Sequence, residues 1–205
     1  PQSEQVLHPD LAALEDPFTL AGMAQAVSRL RRAIAAGEPI VVFGDSDVDG
    51  LTAGVILYET LCFLGAAVRG RQSNRIAEGY GLPHRLVQQL ARSSTRLVVL
   101  VDCGTNQPEA IRQLAGSGID TIVVDHHVPL GEPAHPYALI NPHCAGDAGL
   151  SHGLSSAGLA FKLSQALMGP KESERLDGLL DLAALGTLAD YSPRLGDNRT
   201  LIAAG

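Results

Sequence analysis

Apolar residues in this chain gather in short runs separated by stretches of helical periodicity. Ile40-Val41-Val42-Phe43, Leu97-Val98-Val99-Leu100-Val101, Thr121-Ile122-Val123-Val124 and Ala138-Leu139-Ile140 are continuous rather than alternating, the mark of strands buried on both faces. Ala66-Ala67-Val68-Arg69-Gly70 begins another. Met23, Ala26, Val27, Leu30 and Ile34 recur at helical spacing and stop at Gly37, and helices are expected over about 52–64, 83–92 and 106–116. The fold class is α/β: a parallel, mainly five-stranded sheet with helices on both faces. Beyond residue 150 the strands cease, leaving a helical C-terminal segment. There Leu159, Leu163, Ala166 and Leu167 mark one helix, and Leu176, Leu179, Leu180 and Ala183 mark another that runs to Asp190.

Acids or histidines stand directly after these runs. They are Asp45, Asp47 and Asp49 within Gly44–Gly50, then Asp102, Asp125-His126-His127, Asn141-Pro142-His143, and Asp190 closing Leu185–Ala189. Functional groups of a parallel sheet lie beyond the carboxyl ends of its strands, so these side chains should converge. Carboxylates gathered within a few ångströms repel one another and stay ionised only beside cations. Two divalent ions balance that charge, and hard oxygen ligands with one or two imidazoles suit manganese or magnesium better than a thiolate zinc site. Such a pair, roughly 3.5–4 Å apart, activates water and holds both oxygens of an in-line phosphoryl displacement. An EF-hand would need a glutamate six residues after Gly50, where Ile56 stands, and a helix where a strand precedes the loop.

With 205 residues, 45% of them hydrophobic and 18% charged, the chain can bury a sizeable core. The net charge of −7 argues against a broad basic surface gripping nucleic acid. No apolar stretch approaches the roughly 18 residues of a membrane span and no signal segment opens the chain, so no membrane association and a cytoplasmic location are expected. Cys62, Cys103 and Cys144 form neither a disulfide framework nor a zinc knuckle. Residues 1–38, with His8-Pro9-Asp10 and Asp16-Pro17, read as a lead-in and helix packed on a domain of residues 39–205. The opening Pro1 and the apolar run at Thr200–Gly205 look like the ends of a piece of a longer protein.

The Asp125-His126-His127 triplet and Asp45–Gly50 resemble the signatures of the DHH phosphoesterase family. Asp16-Pro17-Phe18 with Met23, Asn74-Arg75 with Glu78–Gly81, Ile140-Asn141-Pro142, Gly158–Leu163 and Gly186–Asp190 are similar to its RecJ-type single-strand exonucleases. The resemblance implies a two-metal phosphodiesterase that removes 5′-mononucleotides from single-stranded DNA in the 5′ to 3′ direction, in DNA repair and recombination. It implies one ion on Asp47, Asp102 and Asp190 and another on Asp49, Asp102, His126 and Asp190. His127 would face the substrate phosphate and Asp125 would orient a neighbour. Many family members carry a histidine ligand where this chain has Phe43, and Asp45 or water would replace it. The implied partners are single-stranded DNA and a C-terminal substrate-binding domain of the DHHA1 type, with a single-strand-binding protein or a helicase further candidates. No Gly-Gly pair is present, so the DHHA1 domain, and any oligonucleotide-binding domain after it, is expected to be absent from these residues. Two alternatives remain: a DHH enzyme for short oligoribonucleotides, cyclic dinucleotides or nucleotide bisphosphates, and an inactive scaffold.

Further candidates for substrate contact are Asn74 and Arg75, set against a solvated arginine, and His143, set against a solvated loop histidine. Ser156, in Ser155-Ser156-Ala157-Gly158, is placed either to offer helix amides to an anion or to serve in a simple cap. Asp177 and Asp181 fall on the polar side of their helix and stay outside the site.

Overall fold

The computed structural model describes residues 10–131, 134–145 and 153–205; the lead-in around His8-Pro9 lies outside them. Strands β1 (Ile40–Gly44), β2 (Val68–Gln72), β3 (Leu97–Val101), β4 (Asp120–Val124) and β5 (Ala138–Ile140) form one five-stranded sheet in the order β2-β1-β3-β4-β5. Every pairing is parallel: Ile40 lies beside both Val68 and Leu97, Leu97 beside Asp120, and Ile122 beside Ala138. Every residue of β3 is buried, as a continuous apolar run in a central strand requires.

Alternation along the strands divides the interior in two. Ile40, Val42, Leu97, Val99 and Ile122 face a core with helices α1 (Met23–Ala36), α2 (Val48–Phe63) and, further along, α7 (Ser156–Met168). Phe43, Val98, Leu100 and Val123 face the opposite core under α4 (His84–Ala91) and α5 (Pro108–Gly116). Short turns α3 (Arg75–Glu78) and α6 (Pro142–Ala145) follow β2 and β5. The helix after β1 and the helix after β3 therefore leave to opposite faces. That reversal opens a crevice between the two strand ends, where open α/β sheets hold their ligands.

Two elements differ from the reading of the sequence. The acid-rich stretch expected as a loop to Thr52 is already helical from Val48, because the Asp47 carboxylate accepts the Gly50 amide at 2.9 Å and caps the helix a turn earlier. The single helix expected over residues 176–190 is broken into α8 (Ser173–Asp177) and α9 (Leu180–Ala189). Gly178 ends the first, its amide bonded back to Glu174, and α10 (Gly196–Ala204) follows the second. Against α10, the wholly buried Lys162 ammonium of α7 meets Asp197 at 2.5 Å and donates to the Glu15 carbonyl, tying the lead-in to the C-terminal helices. No helix among the described residues is long and apolar enough to cross a membrane.

Candidate metal centre

The site is built at the carboxyl ends of β1, β3 and β4 and closed by α7 and α9. Asp45 continues β1 by donating its amide to Val101, and the chain then turns so tightly that a Cβ on Gly50 would lie 2.6 Å from the Asp45 carbonyl oxygen. Only glycine fits that approach. Asp47 is exposed at the cap, while Asp49 points inward from the first turn of α2 and is buried.

Asp49 is held by the N-terminus of α7. Its two oxygens accept the amides of Ser156 and Ala157, each at 2.8 Å, where unsatisfied N–H groups and the helix dipole favour an anion. The Ser156 hydroxyl also donates to Asp102 at 2.9 Å. Ser156 is wholly buried, so the anion received by this helix end is the chain's own carboxylate, which leaves the residue behind the acids rather than on a substrate surface.

Asp102 takes a left-handed backbone, φ 60°, immediately after β3, while its amide still bonds the Val124 carbonyl. Asp190 caps the C-terminus of α9. That helix enters closely because of Gly186, where a Cβ would meet the Thr52 hydroxyl at 2.3 Å, the Ala157 methyl at 2.5 Å and Asp49 at 2.9 Å. His126 Nε2 then sits among three carboxylates, 3.4 Å from Asp102, 3.6 Å from Asp190 and 3.7 Å from Asp49.

Asp125 does not join them. Its Oδ1 accepts the amides of His126 and His127 and contacts His127 Nδ1 at 2.7 Å, while Oδ2 accepts the Thr105 amide at 3.0 Å. Burial works to raise the Asp125 pKa, but the hydrogen bonds from His127 and Thr105 hold it below the usual carboxylate range. The same bond from Asp125 lifts the His127 imidazole above its ordinary value, against burial. With Nδ1 engaged, Nε2 of this partly exposed ring is the nitrogen left to meet a substrate.

Burial pushes the Asp49 carboxyl up to about 6, against the amides of Ala157 and Ser156. Burial likewise pushes Asp102 up to about 7, with Asp49 and Asp47 adding repulsion and His126 opposing it. Burial would lower the His126 pKa, but its bond to Asp102 and the charges of Asp49 and Asp190 raise it to about 9. The cluster thus holds more negative charge than its surroundings support, and cations relieve that strain.

Ligand-capable atoms lie within 4.8 Å of one another in three sets: Asp49, His126 and Asp190; Asp45, Asp47 and Asp102; and Asp102, His126 and His127. Asp102 belongs to two of them, once beside His126 and His127 and once beside Asp45 and Asp47. Asp190 groups with Asp49 and His126, and the acid beside Asp47 and Asp102 is Asp45. The carboxylate and imidazole donors fit hard divalent cations. Phe43 is fully buried in the core under α4 and α5 and offers no donor.

The remaining candidates are placed more loosely. Arg75 reaches to 3.4 Å from Asp45, and Asn74 spends its side-chain oxygen capping α3 through the Ala77 amide. His143 is exposed on α6, its amide donating to Asn141. Three residues given no role from sequence also shape the site. The Tyr80 hydroxyl lies 3.3 Å from His127 Nδ1 and 3.4 Å from the Asp102 carbonyl. Buried Asn141 donates to Thr105 Oγ1 at 2.8 Å and to the His127 carbonyl at 2.9 Å, bracing the histidine loop. Tyr80 and Asn141 lie inside motifs already singled out, whereas Thr105 carries no local signal.

The DHH family, N-terminal domain, matches residues 39–187. The single-stranded-DNA-specific exonuclease RecJ of Bacillus subtilis (strain 168) is 35% identical over 199 residues, covering 97% of this chain and 25% of that protein. The exonuclease of the same name from Thermus thermophilus is 39% identical over 207 residues, covering 97% of this chain and 29% of that protein. A crystal structure of exonuclease RecJ bound to manganese superposes with a TM-score of 0.82 at 36% identity, covering 96% of this chain and 49% of that one. The chain spans between a quarter and a third of the length of these two sequence relatives.

Proposed function

Because this chain belongs to the DHH family, we propose that it is the catalytic domain of a RecJ-type phosphodiesterase, which uses two manganese or magnesium ions to release 5′-mononucleotides from the 5′ end of single-stranded DNA. The observation that carries this reading is the meeting of Asp47, Asp49, Asp102, His126 and Asp190 at one crevice, in a chain 35–39% identical to single-stranded-DNA-specific exonucleases.

In this reading Asp47 and Asp102 would hold one ion, and Asp49, His126, Asp190 and Asp102 would hold the other. When bound, the ions supply a hydroxide nucleophile at neutral pH and counter-charge for the phosphoryl oxygens. The chain's own residues do the rest. Ser156 and Ala157 fix Asp49, and the Ser156 hydroxyl fixes Asp102, so both carboxylates are pre-oriented. Asp125 grips His127 Nδ1 and presents Nε2, a donor toward a non-bridging oxygen as charge develops. Arg75, close to the acids and partly exposed, offers a forked contact to phosphate.

We take residues 39–205 as the catalytic domain and residues 1–38 as its lead-in. With a net charge of −7 over its 205 residues, this chain leaves strand gripping to other parts of the protein, and a single-strand-binding protein or helicase would deliver the strand in the cytoplasm. Phe43, which offers no donor, speaks for the scaffold alternative, but the acids and His126 gathered at the crevice speak against it, and the similarity to single-stranded-DNA-specific exonucleases speaks against the small-phosphoester alternative.

The test is manganese-dependent release of mononucleotides from 5′- and 3′-labelled single-stranded DNA, using the chain extended to its natural C-terminus. Early release of the 5′ label is expected. Cleavage of a cyclic dinucleotide or short RNA with intact DNA would overturn the exonuclease reading.

A further inference from the structure

Asp45 differs from the neighbouring acids in what holds it. It is 0% exposed, and only one of its oxygens is satisfied by a hydrogen bond: Oδ1 accepts from the Ser73 hydroxyl at 3.1 Å, whereas Oδ2 is buried and accepts none. Leaving a carboxylate oxygen buried without a donor is unfavourable unless a cation stands by. The guanidinium of Arg75 lies 3.4 Å from that oxygen, at the end of a side chain 55% exposed and stacked 5.7 Å from the Tyr80 ring centre. On the other side, ligand atoms of Asp47 and Asp102 lie within 4.8 Å of Asp45.

We propose that Asp45 is a direct ligand of the ion shared with Asp47 and Asp102, and that Arg75 is the stand-in cation released from Asp45 when that ion binds. The inference rests on the two-metal reading above and assigns this chain's residues within it. The half-exposed arginine regains water on leaving Asp45, and the ion takes its place beside the buried carboxylate. A divalent ion carries twice the charge and binds Asp45, Asp47 and Asp102 together. The released guanidinium then becomes available to an anion, so ion loading and phosphate binding reinforce each other. The other ion, with the His126 imidazole among its ligands, binds more tightly.

The test is titration of chelator-stripped protein with manganese, read by calorimetry and by the electron paramagnetic resonance of free ion, on wild type, Asp45→Asn and Arg75→Gln. Two classes of site are expected in wild type. Asp45→Asn keeps the shape of the side chain and an oxygen for Ser73, and should weaken the looser class roughly 10–100-fold while sparing the tighter one. Arg75→Gln, a surface change, should tighten the looser class several-fold, and it decides the matter alone should Asp45→Asn not fold. Unchanged binding in Asp45→Asn, or unchanged or weaker binding in Arg75→Gln, overturns the inference. If wild type binds two ions in either case, the two-metal reading survives; if it binds none, both fall.

Discussion

Asp49 and Ser156, 107 positions apart, are joined by a 2.8 Å hydrogen bond from the Ser156 amide to the Asp49 carboxylate. The contact seats a buried acid at a helix N-terminus, which stabilises negative charge before any ion arrives. The Ser156 hydroxyl extends the same support to Asp102, so one residue links acids that follow two different strands.

Replacing Ser156 by alanine removes the hydroxyl while retaining the amide. Manganese affinity should fall about 10–100-fold, the usual scale for losing support behind a ligand. Titration with manganese checks this, and an unchanged affinity would mean that Asp102 needs no orientation.

Asp102→Asn should lower hydrolysis by at least on the order of 10²-fold, the scale seen when one preorganised charge-stabilising group is lost. Asp177→Ala, an exposed change on α8, should leave activity within about twofold of wild type. Steady-state rates on single-stranded DNA compare the two; equal activity in Asp102→Asn and wild type would sink the metal assignment.

Gly186→Ala places a methyl group 2.3 Å from the Thr52 hydroxyl and 2.5 Å from the Ala157 methyl. Helix α9 must retreat, with a cost of about 1–3 kcal/mol and displacement of Asp190. Thermal melting in chelator should show the loss of stability and manganese titration the weaker binding. A variant with native melting and native affinity would show that the close packing at this position is dispensable.

Stability without metal should decline as pH rises. Asp49 and Asp102 are raised from 3.8 to about 6 and about 7, and His126 from 6.5 to about 9. All three hold protons in the folded state that the unfolded chain has released, so their contribution is full at the acid end and is lost between about pH 4 and 9. Asp125, with its lowered pKa, acts oppositely, and only on acidification below the ordinary carboxylate range. Melting temperature in chelator should therefore fall across that window, while the increment from added manganese grows, because ligands must be deprotonated to bind. A manganese increment independent of pH would contradict this.

Much of this architecture is legible from local order. Continuous apolar runs determined the parallel buried strands, and the acids directly after them marked the carboxyl ends, because both features depend on residues adjacent in the chain. The same local reading misplaced the start of α2, since the Asp47 cap looks like any acidic turn, and it joined α8 to α9 across Gly178. Tertiary structure alone decided that Ser156 supports Asp49 and Asp102, that Gly186 admits α9, that Tyr80 meets His127, and that Arg75 shares Asp45. These contacts link residues as far apart as Asp49 and Ala157, separated by 108 positions, and no periodicity or motif encodes them. They arise only when helices on one face of the sheet pack closely enough for backbone amides, a missing Cβ and a buried carboxylate to meet.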